Sequence, residues 1–181
     1  MLSFLNKNRI ISKKEFMELV DKRTDILFRI ALTYVRNEEL AGDAVQDSIL
    51  NAYKNLDSLK EKEKFNSWIT TILVNRCREI LRKDKKVSYF ELKEEVLNEN
   101  RVINDYYDND YSKVDNKIDV LNILQNIDEK YRNVISLKYF GDNTIEEIAT
   151  ILDIPQGTVK SRLNFGIKKL KKLMEVNENV L

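Results

Sequence analysis

The chain has 181 residues, 43% hydrophobic and 34% charged, and its 31 Lys and Arg stand against 30 Asp and Glu for a formal charge of +1. Histidine is absent and Cys77 is the only cysteine, which excludes His-based acid/base chemistry, thiol–imidazole pairs, Cys/His zinc sites and an internal disulfide. With 4 Gly and 1 Pro there are few turn signals, so the expected fold class is all-α.

Ser12 and Glu15 stand in capping-box spacing ahead of Phe16, Leu19, Val20, Leu27, Ile30 and Tyr34. The 3.6-residue period, with Arg23 on the same stripe, predicts one amphipathic helix over 12–35. Asn37 is the expected N-cap of a second helix, with Glu38 and Glu39 in its first turn. There Ala41, Val45, Ile49, Ala52 and Leu56 face inward, and Asp43, Gln46, Asp47, Leu50 and Lys54 face the other way. A third helix is expected over 65–83, with Ile69, Leu73, Cys77 and Ile80 inward and Asn75, Arg78 and Arg82 on a separate face. Together they predict a first small helical domain over 12–86.

From Val87 to Asp119 nine acidic residues outnumber four basic ones around DYYDNDY. That composition predicts an acidic flexible linker over 87–117. Periodicity resumes with Ile118, Leu121, Leu124 and Ile127. Tyr131, Val134, Ile135 and Tyr139 then follow the expected N-cap Asp128, and Gly141 is the expected C-cap. Thr144 and Glu147 form a second capping box ahead of Ile148, Ala149 and Leu152. Asp153 and Ile154 make a tight turn, where Asp is among the few residues that tolerate a left-handed backbone. Pro155 is expected at the first position of the last helix. The second small domain, 118–175, thus contains helix, short turn, helix.

In the last helix Val159, Leu163, Ile167 and Leu170 are expected inward, leaving Gln156, Lys160, Ser161 and Asn164 outward with Thr158 and Arg162 at the edges. No acid follows Asp153 as far as Lys172, while Lys160, Arg162, Lys168, Lys169, Lys171 and Lys172 accumulate. Such side chains suit duplex DNA: Lys or Arg bonds guanine, Gln or Asn bonds adenine, and the flanking lysines reach phosphate. A solvated lysine-rich face would explain the charge alone. It would not explain the capped helix, tight turn and Pro-started helix together.

IEEIATILDIPQGTVKSRLNFGIKKL resembles region 4.2 of sigma-70 family factors, and AGDAVQDSILNAYKNL followed by FNSWITTILVNRCREILRK resembles region 2 of the same family. Their order in a short chain is similar to the extracytoplasmic-function (ECF) group. The resemblance implies an RNA polymerase specificity subunit with no catalytic residues, no cofactor, no metal and no small-molecule substrate. It implies that Asp43, Gln46 and Asp47, with Leu50 beside them, dock on the β′ clamp helices of core RNA polymerase, and that region 4 meets the β flap.

The minus-10 element would be read and melted by the third helix and the loop before it. Asn75 matches a position lining the pocket for a base flipped from the non-template strand, and Lys60, Lys62, Lys64 and Asn66 belong to the loop that varies with promoter choice. Arg76, Arg78 and Arg82 are the implied strand-backbone cations. For Trp68 both core packing and base stacking stay open. Gln156, Thr158, Lys160, Ser161, Arg162, Asn164 and Lys168 would meet the minus-35 duplex, with Phe165 where some relatives carry Arg. Ile127 and Asp128 replace the usual Leu-Pro start of region 4.

The linker would thread toward the polymerase active site. Further implied partners are promoter DNA and an anti-sigma factor, often membrane-bound in this family. The chain itself lacks a signal-like or membrane-length apolar run, which predicts a cytoplasmic protein that is not membrane-inserted. The alternative is a free-standing helix-turn-helix regulator, for which a symmetric dimer and a palindromic site would be expected.

Overall fold

A computed structural model describes residues 10–95 and 118–178, so most of the expected linker lies outside the described residues. Among these residues every regular element is helical: α1 Lys13–Asp21, α2 Thr24–Val35, α3 Glu38–Lys54, α4 Phe65–Glu95, α5 Ile118–Gln125, α6 Glu129–Tyr139, α7 Ile145–Leu152 and α8 Gln156–Glu178. Two short 3-10 turns, Leu56–Ser58 and Lys62–Lys64, connect α3 to α4. No helix among the described residues is long and apolar enough to cross a membrane.

Ser12 caps α1 as expected: the Glu15 N–H donates to Ser12 Oγ at 3.2 Å and the Ser12 N–H to Glu15 Oε2 at 2.8 Å. The single helix expected over 12–35 is two. Arg23, at φ −111° and ψ −12°, leaves the helical path, and its N–H turns back to the Val20 carbonyl. No Gly or Pro marks this break, which packing imposes. Phe16 closes on Phe65 and Tyr53, at centroid distances of 5.9 and 5.6 Å, while α2 runs off in a new direction.

The third predicted helix does not stop at Lys83. Residues 65–95 contain neither Gly nor Pro, so α4 continues to Glu95, and the expected domain boundary at 86 falls inside it. The first nine residues assigned to the linker, 87–95, are helical.

In the second half the Thr144–Glu147 capping box forms, and Asp153 is left-handed at φ 55°. Four expectations need correction. Asp128 precedes α6 but its side chain does not cap it, because it accepts a hydrogen bond from Lys169 Nζ at 2.5 Å. Pro155 lies one residue before the helix: its carbonyl accepts the Thr158 and Val159 N–H groups, and α8 starts at Gln156. Gly141 is not the left-handed residue after α6; Asp142 is, at φ 54°. Gly141 is required for space, since a Cβ there would stand 2.7 Å from the Leu137 carbonyl and 3.3 Å from Ile30 Cδ1. Tyr139, expected inward, is 62% exposed at the end of α6.

Helices α2, α3 and α4 pack together, as do α6, α7 and α8. These are the two helical units expected from the sequence. They do not stand apart: α2 lies against α5 and α6, α4 lies against α7, and one continuous apolar core includes residues from both. Ile30 to Val35 are buried all round the helix because α2 is covered on both sides.

Candidate nucleic-acid interface

Val159, Leu163 and Gly166 hold α8 down, and at Gly166 a Cβ would stand 2.8 Å from Ile135 Cδ1, so glycine lets α8 approach α6 closely. The opposite face carries Gln156, Lys160, Ser161, Asn164 and Lys168 exposed, with Thr158 and Arg162 half-buried at its edges. Ser161 Oγ donates to the Thr158 carbonyl at 3.0 Å. Phe165 is 57% exposed beside Asn164, an apolar side chain among polar and basic ones. Pro155 has no N–H to leave unsatisfied at the start of this helix.

On the first unit Lys60, Lys64, Asn66, Asn75 and Arg82 are exposed. Lys62 is engaged, bonding Glu15 Oε1 at 2.9 Å. The Ser12 backbone and then Lys62 hold the Glu15 carboxyl down at about 2. The three arginines of α4 have different environments. Arg82 Nε donates to the Arg78 carbonyl at 3.3 Å and stays exposed. Arg78 is half-buried, and its Nη2 makes a long contact, 3.4 Å, to the Leu152 carbonyl of the second unit. Arg76 is half-buried and pairs with Asp47 on α3 and with Glu79.

Trp68 donates from Nε1 to Ser58 Oγ at 3.2 Å, and its ring sits 6.0 Å from that of Phe65. It is half-buried against the apolar core and borders a cleft of about 410 Å³ together with Ile72, Glu147 and Ile151. Burial would raise the Glu147 carboxyl, yet hydrogen bonds from Thr144 and Ser67 and the charge of Lys64 hold it below the ordinary carboxylate range.

Helix α3 buries Ala41, Ala44, Val45, Ser48 and Ala52 and exposes Asp43, Gln46, Asp47 and Leu50. Leu50 is 58% exposed, an apolar side chain beside two carboxylates. That combination fits a protein surface offering both cations and apolar contacts.

The sequence reading missed a third group, the polar residues between the units. Arg23 Nη2 donates to the Gly141 carbonyl at 3.0 Å, Arg36 Nη2 to the Gln125 carbonyl at 3.0 Å, and Thr33 Oγ1 to Ser136 Oγ at 3.1 Å. Burial and the nearby Arg36 push the Arg132 guanidinium down to about 10. A signal was available: Ile30–Val35 is six residues without a charge, more than one buried face requires.

An all-helical chain whose second unit ends in helix, left-handed turn and basic helix is a helix-turn-helix protein, here with another helical unit packed against it. Residues 19–87 match the family model for Sigma-70 region 2, and residues 123–172 that for Sigma-70, region 4. The ECF RNA polymerase sigma factor SigW of Bacillus subtilis is 30% identical over 165 residues, covering 87% of each chain. RNA polymerase sigma factor SigV of the same organism is 30% identical over 154 residues, covering 84% of this chain and 86% of its own. The fold is similar to that of the sigma factor RpoE from Bartonella quintana, solved in complex with the anti-sigma factor NepR. That likeness has a TM-score of 0.70 at 23% identity and covers 90% of this chain and 98% of RpoE. The chain belongs to the sigma-70 family, in its ECF group, and is a promoter-directing RNA polymerase sigma factor.

Proposed function

We propose that residues 12–86 act as region 2, 87–117 as a linker and 118–175 as region 4, with promoter reading divided between the two units. Asp43, Gln46, Asp47 and Leu50 dock on the β′ clamp helices of core polymerase, and region 4 meets the β flap. Asn75 lines a pocket for an unpaired minus-10 base, while Lys60, Lys62, Lys64, Asn66, Arg76, Arg78 and Arg82 follow the strand. Gln156, Thr158, Lys160, Ser161, Arg162, Asn164 and Lys168 meet the minus-35 duplex, the amides and cations at base edges and phosphates. The observation that carries this reading is the exposed polar and basic face of α8, set on a helix-turn-helix whose apolar face is buried.

The protein supplies specificity and no bond-breaking chemistry of its own, and it works in the cytoplasm where polymerase is. The complexes of similar sigma factors with anti-sigma factors support regulation of this one by such a partner. Run-off transcription by core polymerase on a promoter library, with and without the protein, tests the reading. New discrete start sites are expected when it is added. Identical starts in both reactions would remove it.

A further inference from the structure

Arg78 of α4, Arg162 of α8 and the first turn of α6 line one cleft of about 530 Å³. Both guanidiniums are half-buried, and neither has a carboxylate partner among the described residues. Arg78 reaches the Leu152 carbonyl only at 3.4 Å, where a hydrogen bond is weak. A cation taken partly out of water without a counter-charge is costly, so this cleft attracts anions.

The start of α6 adds to that attraction. Asp128 precedes the helix, but its carboxylate is bound to Lys169, and no side chain caps the first turn. The Asp128 carbonyl takes the Tyr131 and Arg132 N–H groups. Those of Glu129 and Lys130 have no acceptor within the helix, and they bring the positive end of its dipole to the cleft that both residues line. Helix N-terminus and guanidiniums together suit a phosphate. Two carboxylates share the lining, and Asp128 is neutralised by Lys169. Glu129 is exposed and makes no ion pair among the described residues, so Arg78, Arg162 and Lys130 outnumber it.

An inorganic ion does not account for the rest of the lining. The volume falls within the range of small-molecule sites, about 300–1,000 Å³, far above what a lone phosphate fills. Asn133, one turn into α6, is 8% exposed, and its Oδ1 is buried without a hydrogen-bond partner. An orphaned acceptor costs stability until an N–H or O–H reaches it. Asn133 lines the cleft, so a turn of its amide presents that oxygen to a ligand there. Glu129, four residues earlier on the same face of α6, is a second acceptor. Leu152, 7% exposed, supplies an apolar wall. Two acceptors beside an apolar wall suit a flat ring bearing N–H groups, and nucleobases with an exocyclic amine offer them.

We propose that this cleft binds a nucleoside monophosphate with an amino-bearing base, its phosphate held by Arg78, Arg162 and the N-terminus of α6 and its base by Glu129 and Asn133. The site itself does not depend on the sigma-factor reading, but its consequence rests on it. A bound nucleotide occupies Arg78 and Arg162, which promoter DNA also uses, so ligand and DNA compete. Initiation by this factor then falls as the nucleotide rises.

Isothermal titration of the full chain, without polymerase or DNA, tests the site with GMP, AMP and CMP beside inorganic phosphate and ribose phosphate. At least one nucleotide should bind about tenfold or more tighter than ribose phosphate, as a hydrogen bond to a charged or buried acceptor provides. Arg162→Gln should weaken that nucleotide by about tenfold through loss of a charge-assisted bond. Asn133→Leu should narrow the gap between nucleotide and ribose phosphate. Glu129→Gln should narrow it too, while strengthening ribose phosphate because a negative charge beside the anion is gone; Glu129 is exposed, so this variant serves even where Asn133→Leu fails to fold. No binding, or equal affinity for nucleotides and ribose phosphate, leaves a cation cluster only and overturns the proposal. Nucleotide affinity unmoved by Arg162→Gln puts binding elsewhere and overturns it as well.

Fluorescence anisotropy of a promoter fragment, taken from the run-off library and held at constant ionic strength, reads the competition. Saturating nucleotide should weaken binding of the full chain by about tenfold, the loss expected when charged contacts are withdrawn. Equal binding with and without nucleotide overturns the regulatory consequence. Failure of the unsubstituted chain to direct any start removes the sigma-factor reading instead and leaves the titration result standing.

Discussion

Arg76 on α4 grips Asp47 on α3 through two nitrogens, Nη2 at 2.6 Å and Nε at 2.9 Å from the same carboxylate oxygen. The ion pair joins a residue proposed to face polymerase to one proposed to face DNA. Partial burial would lower the Arg76 guanidinium, but the hydrogen bonds and charges of Asp47 and Glu79 keep it above its ordinary value. Both side chains remain accessible, 30% and 48% exposed, so screening limits the pair to about 0.5 kcal/mol. A double-mutant cycle with Asp47→Ala and Arg76→Ala, read by urea unfolding, should return a coupling of that size that shrinks at high salt. A coupling above about 2 kcal/mol would show the pair to be a buried structural bridge instead.

Asn75→Ala should impair open-complex formation more than binding to core polymerase. Asn75 is exposed on α4, away from the buried stripe of Ile69, Leu73 and Cys77, so its removal leaves the core intact. Permanganate footprinting of the melted minus-10 region, beside a core-binding titration, separates the two effects. Equal loss in both would contradict the pocket assignment.

Lys160→Ala should weaken binding to minus-35 duplex and lower the salt slope of log K by about one. Lys160 is exposed on the outward face of α8, so the substitution should not disturb the helix. An unchanged slope would take Lys160 off the phosphate contacts. Phe165→Ala, one turn further along, carries no charge change; it should leave the slope alone and weaken only sites presenting a thymine methyl to it.

Gly141→Ala should destabilise the protein by about 1–3 kcal/mol, as overpacking does. The new methyl would lie 2.3 Å from Asn143 Nδ2 and 2.7 Å from the Leu137 carbonyl, and it would press on the hydrogen bond that Asn143 makes to that carbonyl. Because the backbone there is not left-handed, the cost is steric. Thermal or denaturant unfolding measures it, and a neutral result would mean that the Asn143 side chain gives way to the new methyl at no cost.

Glu15 supplies a pH dependence. Its folded-state carboxyl sits at about 2, below the ordinary 4.5, through the Ser12 backbone hydrogen bond and then Lys62. A depressed acid stabilises fully above its unfolded value, and that contribution fades as pH falls from 4.5 toward 2. Glu15→Gln should therefore be less stable than the unsubstituted chain at pH 7, with the difference closing as pH falls through that window. A constant difference from pH 7 to 2 would show that the carboxylate charge is not what matters.

The readable features of this protein are those set by neighbours within a few residues. Both capping boxes, the Asn37 cap and the left-handed Asp153 depend on hydrogen bonds spanning three or four positions, so residue order suffices to place them. The outward faces of α3 and α8 follow from helical period in the same way. Features decided by distant partners were not readable. The break at Arg23 has no local breaker, and Asp128 gives up its capping role to reach Lys169, forty-one positions away. The largest such feature is the contact between the two units, in which Arg23, Arg36 and Arg78 find acceptors 74 to 118 positions along the chain. Sequence thus determined two helical units and the faces they turn to solvent, because periodicity and capping are local. The tertiary structure alone decided that the units close on each other, because helix-end carbonyls become partners for arginine only when folding brings them within reach.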